Sequence, residues 1–274
     1  MAYLQLAAQP GQRQRGWAIE ETLRAALGQD RLLFAFQPVV CATSGEVDYF
    51  ECLLRMRDLN GGLIACGEFI AAAEETGLIG LIDRHVLNQV FAELATHPAV
   101  RLGFNVSGRT ACDRPWLRSL MALLRRRPEW AGRLVVEITE TAALDDLHES
   151  ARFVDTLRHA GCRVALDDFG AGHTSLRHLQ ALAVDIIKID GSFVRSLTHR
   201  RENRIILRHL LGLTRSFGLG TVAECVETAE ETALLREEGV GYLQGYHIGR
   251  PAIERPWLET AEARRAGVVR NGCG

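Results

Sequence analysis

The sequence predicts an α/β fold: a TIM-like (β/α)8 barrel whose first strand runs antiparallel to the rest. Three observations predict it. Apolar runs of strand length recur eight times along the 274 residues, patterns of helical period lie between most of them, and the first two runs are joined only by Cys41–Glu46. Alternating strand and helix implies parallel pairing with helical crossovers, and eight such units close into a barrel. A parallel crossover needs about a dozen residues. The short link, with Ser44-Gly45 as its turn, therefore makes the first pair an antiparallel hairpin.

Each element follows from its own stretch of chain. An amphipathic pattern over Trp17–Leu27 predicts an opening helix, and the apolar runs Leu33–Val40 and Val47–Arg55 predict the hairpin strands. Helical spacing over Glu68–Glu75 and Ile82–Thr96 leads to a third strand at Arg101–Val106. Trp116–Arg126 reads as the next helix, Leu134–Ile138 as the fourth strand and Leu147–His159 as the helix after it. The fifth and sixth strands are expected at Arg163–Asp167 and Asp185–Ile189. Glu202–Phe217 and Ala229–Glu238 are helical patterns around a seventh strand, Thr221–Glu224, and Gly241–Gln244 closes the set. The barrel is expected over residues 17–260, between a flexible tail or linker at 1–16 and a tail at 261–274.

Composition narrows the class. With 47% hydrophobic and 24% charged residues the chain is an ordinary globular sequence, and a net charge of −2 gives no reason to expect a DNA or RNA polymer as partner. No apolar run approaches the roughly 20 residues that span a bilayer. The cysteines (41, 52, 66, 112, 162, 225 and 273) are odd in number and form no C-x-x-C. A reducing cytoplasm fits that usage better than a disulfide framework. Of the 32 basic residues only Lys188 is lysine. Codon drift accounts for the arginines but not for the exception. A lysine amine is a compact point charge whose pKa moves readily, unlike a planar guanidinium.

Chemistry in a barrel sits at the C-terminal strand ends. Read there, the second strand carries Glu51, the third ends in Asn105, and the fourth ends in Glu137 with Glu140 beyond. The fifth ends in Asp167-Asp168, the sixth carries Lys188, the seventh ends in Glu224 with Glu227 beyond, and the eighth ends in Gln244. Any one of these carboxylates reads most simply as a helix cap, but seven consecutive strands agreeing does not. Asp168-Phe169-Gly170 matches a kinase tripeptide without the loops a kinase needs. Crowded carboxylates repel unless cations neutralise them, and all-oxygen donors select magnesium, manganese or calcium. Two neighbouring divalent ions suit phosphodiester hydrolysis. Lys188 would place a positive charge and a proton-transfer partner for water beside them.

Several separate stretches then carry a resemblance: FQPVV at 36–40, ECLLR at 51–55, FIAAAEETGLI at 69–79, NVS at 105–107, EITE at 137–140, DDFGAGHTSL at 167–176, DIIKID at 185–190, AECVET at 223–228 and LQGYHIGRP at 243–251. From about Leu32 to Pro251 the chain resembles the EAL-domain cyclic di-GMP phosphodiesterases of bacteria. The resemblance implies metal-dependent hydrolysis of cyclic di-GMP to linear pGpG, with two Mg2+ or Mn2+ ions and inhibition by Ca2+. It implies metal ligands at Glu51, Asn105, Glu137 and Asp167, a second-ion ligand at Asp168, and Glu224 coordinating or organising the site. Lys188 and Gln244 would orient the nucleophilic water, so that Glu51, Lys188, Glu224 and Gln244 form the catalytic set. Gln37, Arg55 and Asp190 would bind substrate, and Glu140 and Glu227 would anchor the loop Phe169–Ser175. A homodimer is the implied assembly. The chain departs from the family pattern at Cys52, Cys225, Ala171 and His173-Thr174. A positive φ at position 225 would strain a cysteine by about 1–2 kcal/mol. Two other functions compete: a catalytically silent cyclic di-GMP receptor that relays occupancy to a partner, and another metal-dependent barrel enzyme.

Overall fold

A computed structural model of the chain describes residues 20–170, 176–195 and 197–258. Eight strands close into a barrel: β1 (Leu32–Cys41), β2 (Val47–Arg57), β4 (Leu102–Asn105), β5 (Leu134–Thr139), β6 (Arg163–Phe169), β7 (Ile186–Ile189), β8 (Gly220–Ala223) and β9 (Tyr242–Leu243). β1 pairs antiparallel with both of its neighbours, β2 and β9, and the remaining barrel pairs are parallel. The hairpin loop forces this arrangement, because the short link between Cys41 and Val47 reverses the chain but cannot carry it back along the barrel. β3 (Leu63–Ala65) is an appendix on β2 that the sequence reading missed. It is three residues long and not buried on either face, too short for a period to show. Its signal was the turn before it, where Asp58 Oδ1 accepts from the N–H groups of Asn60 and Gly62.

The helices pack outside the strands, and their apolar faces form one core with the outward-facing strand residues, including Leu102, Phe104, Val136, Val164 and Ile187. The predicted opening helix runs over 20–28, so Trp17 lies outside the described residues, as do both predicted tails. Short helices that the periodicity did not announce follow the strand ends, among them Gly108–Ala111 and Gly191–Val194. Each is one turn long and is set by its cap: Ser107 accepts from Thr110 N, and Asp190 accepts from Ser192 N. No helix among the described residues is long and apolar enough to cross a membrane.

The barrel interior is built in two layers. Val39, Tyr49, Val135, Ala165, Ile186 and Val222, with Tyr242 against them, form a separate buried cluster inside the strands. Side chains alternate along a strand, so the residue two positions on toward the mouth shares the same face. Those residues are Gln37, Glu51, Glu137, Asp167, Lys188, Glu224 and Gln244. β4 fits the scheme with Gly103 below and Asn105 above. The sequence reading found seven strands bringing a polar residue to the mouth; β1 contributes Gln37 and completes the eight.

Candidate active site

Lys188 is at the centre of the polar layer. It is 1% exposed, and its Nζ lies 3.2 Å from Glu51 Oε2, 2.6 Å from Glu137 Oε2, 3.0 Å from Asp167 Oδ1 and 2.9 Å from Glu224 Oε1. Gln244 Nε2 donates to Glu51 Oε2 at 2.6 Å and faces Gln37 Oε1 at 3.3 Å. Gln37 in turn donates to the Gly249 carbonyl at 3.0 Å. Asn105 Nδ2 donates to Glu51 Oε1 at 2.8 Å, which leaves its carbonyl oxygen as the atom it can offer a cation. Gln244 stands one residue beyond β9 because the chain turns inward there. Gly245 has φ +157°, and a Cβ on it would lie 2.2 Å from the Val226 backbone nitrogen, an approach that only glycine allows.

The adjacent carboxylates Asp167 and Asp168 are explained by the backbone. β6 pairs with β7 at Leu166↔Ile187 and next at Phe169↔Ile189, so two residues of β6 stand opposite Lys188 alone. This is a β-bulge, and Asp168 occupies its left-handed position with φ 56°. The bulge lets consecutive residues serve one site, with Asp167 buried against Lys188 and Asp168 exposed at the mouth. The Asp168 N–H donates to Asp167 Oδ1 at 3.0 Å. Cys225 also has positive φ, 54°, so the strain expected at a left-handed cysteine is present beside Glu224. Cys52 points outward into the main core, away from the layer that holds Glu51.

Four carboxylates pair with one ammonium, with Asp168 beside them, and burial sets their electrostatics. Burial and the repulsion of Glu51 hold the Glu137 carboxyl well above the ordinary glutamate range, against the pull of Lys188. Burial likewise pushes Glu224 up to about 8, and burial with Asp167 raises Asp168. Burial would raise Glu51 too, but Lys188 and the hydrogen bonds from Gln244 and Asn105 hold it below its usual range. For Lys188, burial disfavours the charge, yet Asp167, Glu137, Glu224 and Glu51 outweigh it and hold the amine well above the ordinary lysine value. These four carboxylates favour the charged form of Lys188.

The donor set fits divalent cations. Glu51, Glu137 and Asp167 form one group with ligand atoms within 4.8 Å of one another, and Asp167, Asp168 and Glu224 form a second, so Asp167 belongs to both. Glu137 Oε1 is buried and has no hydrogen-bond partner among the described residues. An unsatisfied buried carboxylate oxygen is costly without a cation.

A cavity of ≈ 310 Å³ opens over this layer, lined by Gln37, Glu51, Asp167, Lys188, Glu224 and Gln244 together with Arg55, Arg195, Cys225 and Tyr246. Arg195 and Tyr246 were missed in the sequence. Arg195 reaches the cleft from the turn after β7, with its guanidinium 3.4 Å from Cys225 Sγ. Tyr246 is 56% exposed, and the Arg250 guanidinium lies 4.5 Å from its ring centroid. Neither sits at a strand end, but the exposed aromatic inside LQGYHIGRP was the available signal. Asp190 is not brought to the cleft wall: its carboxylate caps the following turn by accepting from Ser192 N at 3.0 Å. Glu140 Oε2 accepts from Gly170 N at 2.8 Å, at the start of the loop assigned to it; residues 171–175 lie outside the described residues. Glu227 is exposed, and its described ion pair is with Arg195 at 3.8 Å.

A family model described as the EAL domain matches residues 20–251. The probable cyclic di-GMP phosphodiesterase PdeA of Escherichia coli (strain K12) is 34% identical over 245 residues, 88% of this chain and 33% of that protein. The cyclic di-GMP phosphodiesterase NbdA of Pseudomonas aeruginosa is 32% identical over 238 residues, 85% of this chain and 30% of that protein. The chain thus spans about a third of the length of these curated relatives. Among solved structures, the FimX EAL domain from Pseudomonas aeruginosa bound to c-di-GMP superposes with a TM-score of 0.80 at 30% identity, covering 86% of this chain and 97% of that one. The PaMucR phosphodiesterase in its c-di-GMP complex gives 0.79 at 32% identity, with the same coverage.

Proposed function

The chain belongs to the EAL-domain family, and from that membership we propose that it hydrolyses one phosphodiester of cyclic di-GMP to give linear pGpG, in the cytoplasm and with Mg2+ or Mn2+. The observation that carries the proposal is the complete polar layer, in which Lys188 and its four carboxylate partners fill one end of the barrel. Glu51, Asn105, Glu137 and Asp167 would hold one ion, and Asp168 with Asp167 and Glu224 a second. Ions bound there would make a water nucleophilic at neutral pH and offset charge on the phosphoryl oxygens.

The chain's own groups supply the rest. Lys188 fixes the carboxylates at ion-pair distance and adds a positive charge that needs no reorganisation during reaction. Gln244 and Asn105 bond opposite oxygens of Glu51 and so set the orientation of its carboxylate. Arg55 and Arg195 present guanidinium groups to an anionic substrate from the cleft wall. The exposed Tyr246 ring offers a flat face to a guanine base.

The direct test is incubation of the protein with cyclic di-GMP and Mg2+ or Mn2+, following nucleotides by chromatography. Metal-dependent appearance of pGpG is the expected result. Tight binding without turnover would replace the proposal with the silent-receptor reading, and no binding at all would return the site to a barrel enzyme of another specificity.

A further inference from the structure

We propose that Tyr49 and Gly103 are positioning residues for the metal site: the Tyr49 ring, admitted by the missing side chain at Gly103, is the floor that sets the height of the Glu137 carboxylate. This rests on reading the barrel mouth as a divalent-cation site.

Seven strands give the lower layer a side chain, and β4 gives it Gly103. A Cβ built on Gly103 would lie 2.6 Å from Glu137 Oε1, 2.6 Å from Tyr49 Cε2 and 2.9 Å from Tyr49 Cδ2. Carbon atoms in favourable contact stand about 3.5–4.0 Å apart. The ring and the carboxylate therefore both occupy the space above this glycine. Tyr49 has nowhere to retreat. It is 1% exposed, closed in by Val39, Val135, Ala165, Ile186 and Val222, and the Arg163 guanidinium stands 5.7 Å from its ring centroid. Glu137 is bound from one side only: Oε2 pairs with Lys188, while Oε1 has no hydrogen-bond partner among the described residues. Among the described residues packing rather than a hydrogen bond holds Oε1, and Tyr49 and Gly103 are beside it. A methyl group at residue 103 would push the freer of the two neighbours, the carboxylate, out of its place in the ligand group.

The experiment measures Mn2+ affinity by calorimetry on the full chain, beside steady-state hydrolysis of cyclic di-GMP. Gly103→Ala is expected to weaken Mn2+ binding by about tenfold or more, the range seen when groups supporting metal ligands are changed. Its kcat should fall at limiting Mn2+ and recover at excess Mn2+, with KM for the dinucleotide unmoved. Adding Tyr49→Ala to Gly103→Ala frees the space and should restore affinity to within about threefold of the parent. Tyr49→Phe keeps the ring and should bind Mn2+ like the parent. The inference is overturned if Gly103→Ala binds Mn2+ normally, if Tyr49→Ala does not restore it, or if Tyr49→Phe loses it. Should Gly103→Ala fail to fold by circular dichroism, the double variant decides: a folded, Mn2+-binding protein supports the inference and an unfolded one overturns it. A parent protein that binds no Mn2+ removes the reading of the mouth and this inference with it, whereas a binding parent with indifferent variants removes the inference alone.

Discussion

Lys188 shows how far a single residue type constrains chemistry. Four carboxylates stand 2.6–3.2 Å from one ammonium, and a planar guanidinium cannot meet four partners around a point. Lys188→Arg is therefore expected to lower kcat by about a hundredfold or more, the loss typical of removing a preorganised electrostatic group, measured as pGpG release at saturating Mn2+; near-parental turnover would show that only the charge matters. Tyr49 makes a different prediction. Its hydroxyl is buried without a hydrogen-bond partner among the described residues, so Tyr49→Phe deletes a desolvated polar group and keeps the ring. Stability should be unchanged or higher by about 1 kcal/mol, read as a shift in thermal midpoint. A clear loss would reveal a partner for the hydroxyl.

At the scale of elements, the bulge in β6 does what a regular strand cannot. In an unbroken strand Asp168 would face the opposite side from Asp167. The left-handed residue at φ 56° keeps both at the mouth, and aspartate is among the few residues that tolerate that conformation. Asp168→Asn should therefore fold as the parent does and lose activity, while Asp168→Val should lose about 1–2 kcal/mol of stability as well. Denaturant unfolding and turnover measured on the same samples separate the two effects; equal stability of the valine variant would mean that the bulge relaxes at little cost. The bulge was not legible in the sequence. Two adjacent aspartates announce a site, but their backbone conformation depends on how many residues of β7 stand opposite them. The same holds for Asp190, a substrate ligand by the family resemblance, whose carboxylate caps the turn after β7. A strand-end carboxylate serves a cap or a cleft depending on where the next turn begins.

For the whole molecule, the acidic layer ties stability to pH and metal. Glu137, Glu224 and Asp168 have raised carboxyl pKa values when folded, Glu224 reaching about 8. The folded protein thus binds more protons than the unfolded chain above the ordinary carboxylate range, so their contribution is full at low pH and is lost as pH rises toward about 8. Glu51, held below its usual range, works in the opposite sense. Without divalent metal, stability should fall on going from about pH 5 to pH 8. Saturating Mn2+ should remove that slope, and its binding should release protons, detectable by calorimetry in buffers of different ionisation enthalpy. A metal-free protein equally stable across this interval would contradict the burial of the layer. The sequence by itself determined the barrel, its antiparallel first strand and most of the residues at its mouth, because strand period, loop length and the polar residues at strand ends are local features. It did not determine which polar residues turn inward together, that four carboxylates meet at Lys188, or that Tyr49 and Gly103 share one space beneath Glu137. Those depend on which strands become neighbours and how deeply each side chain is buried, and a linear chain acquires neither until the barrel closes.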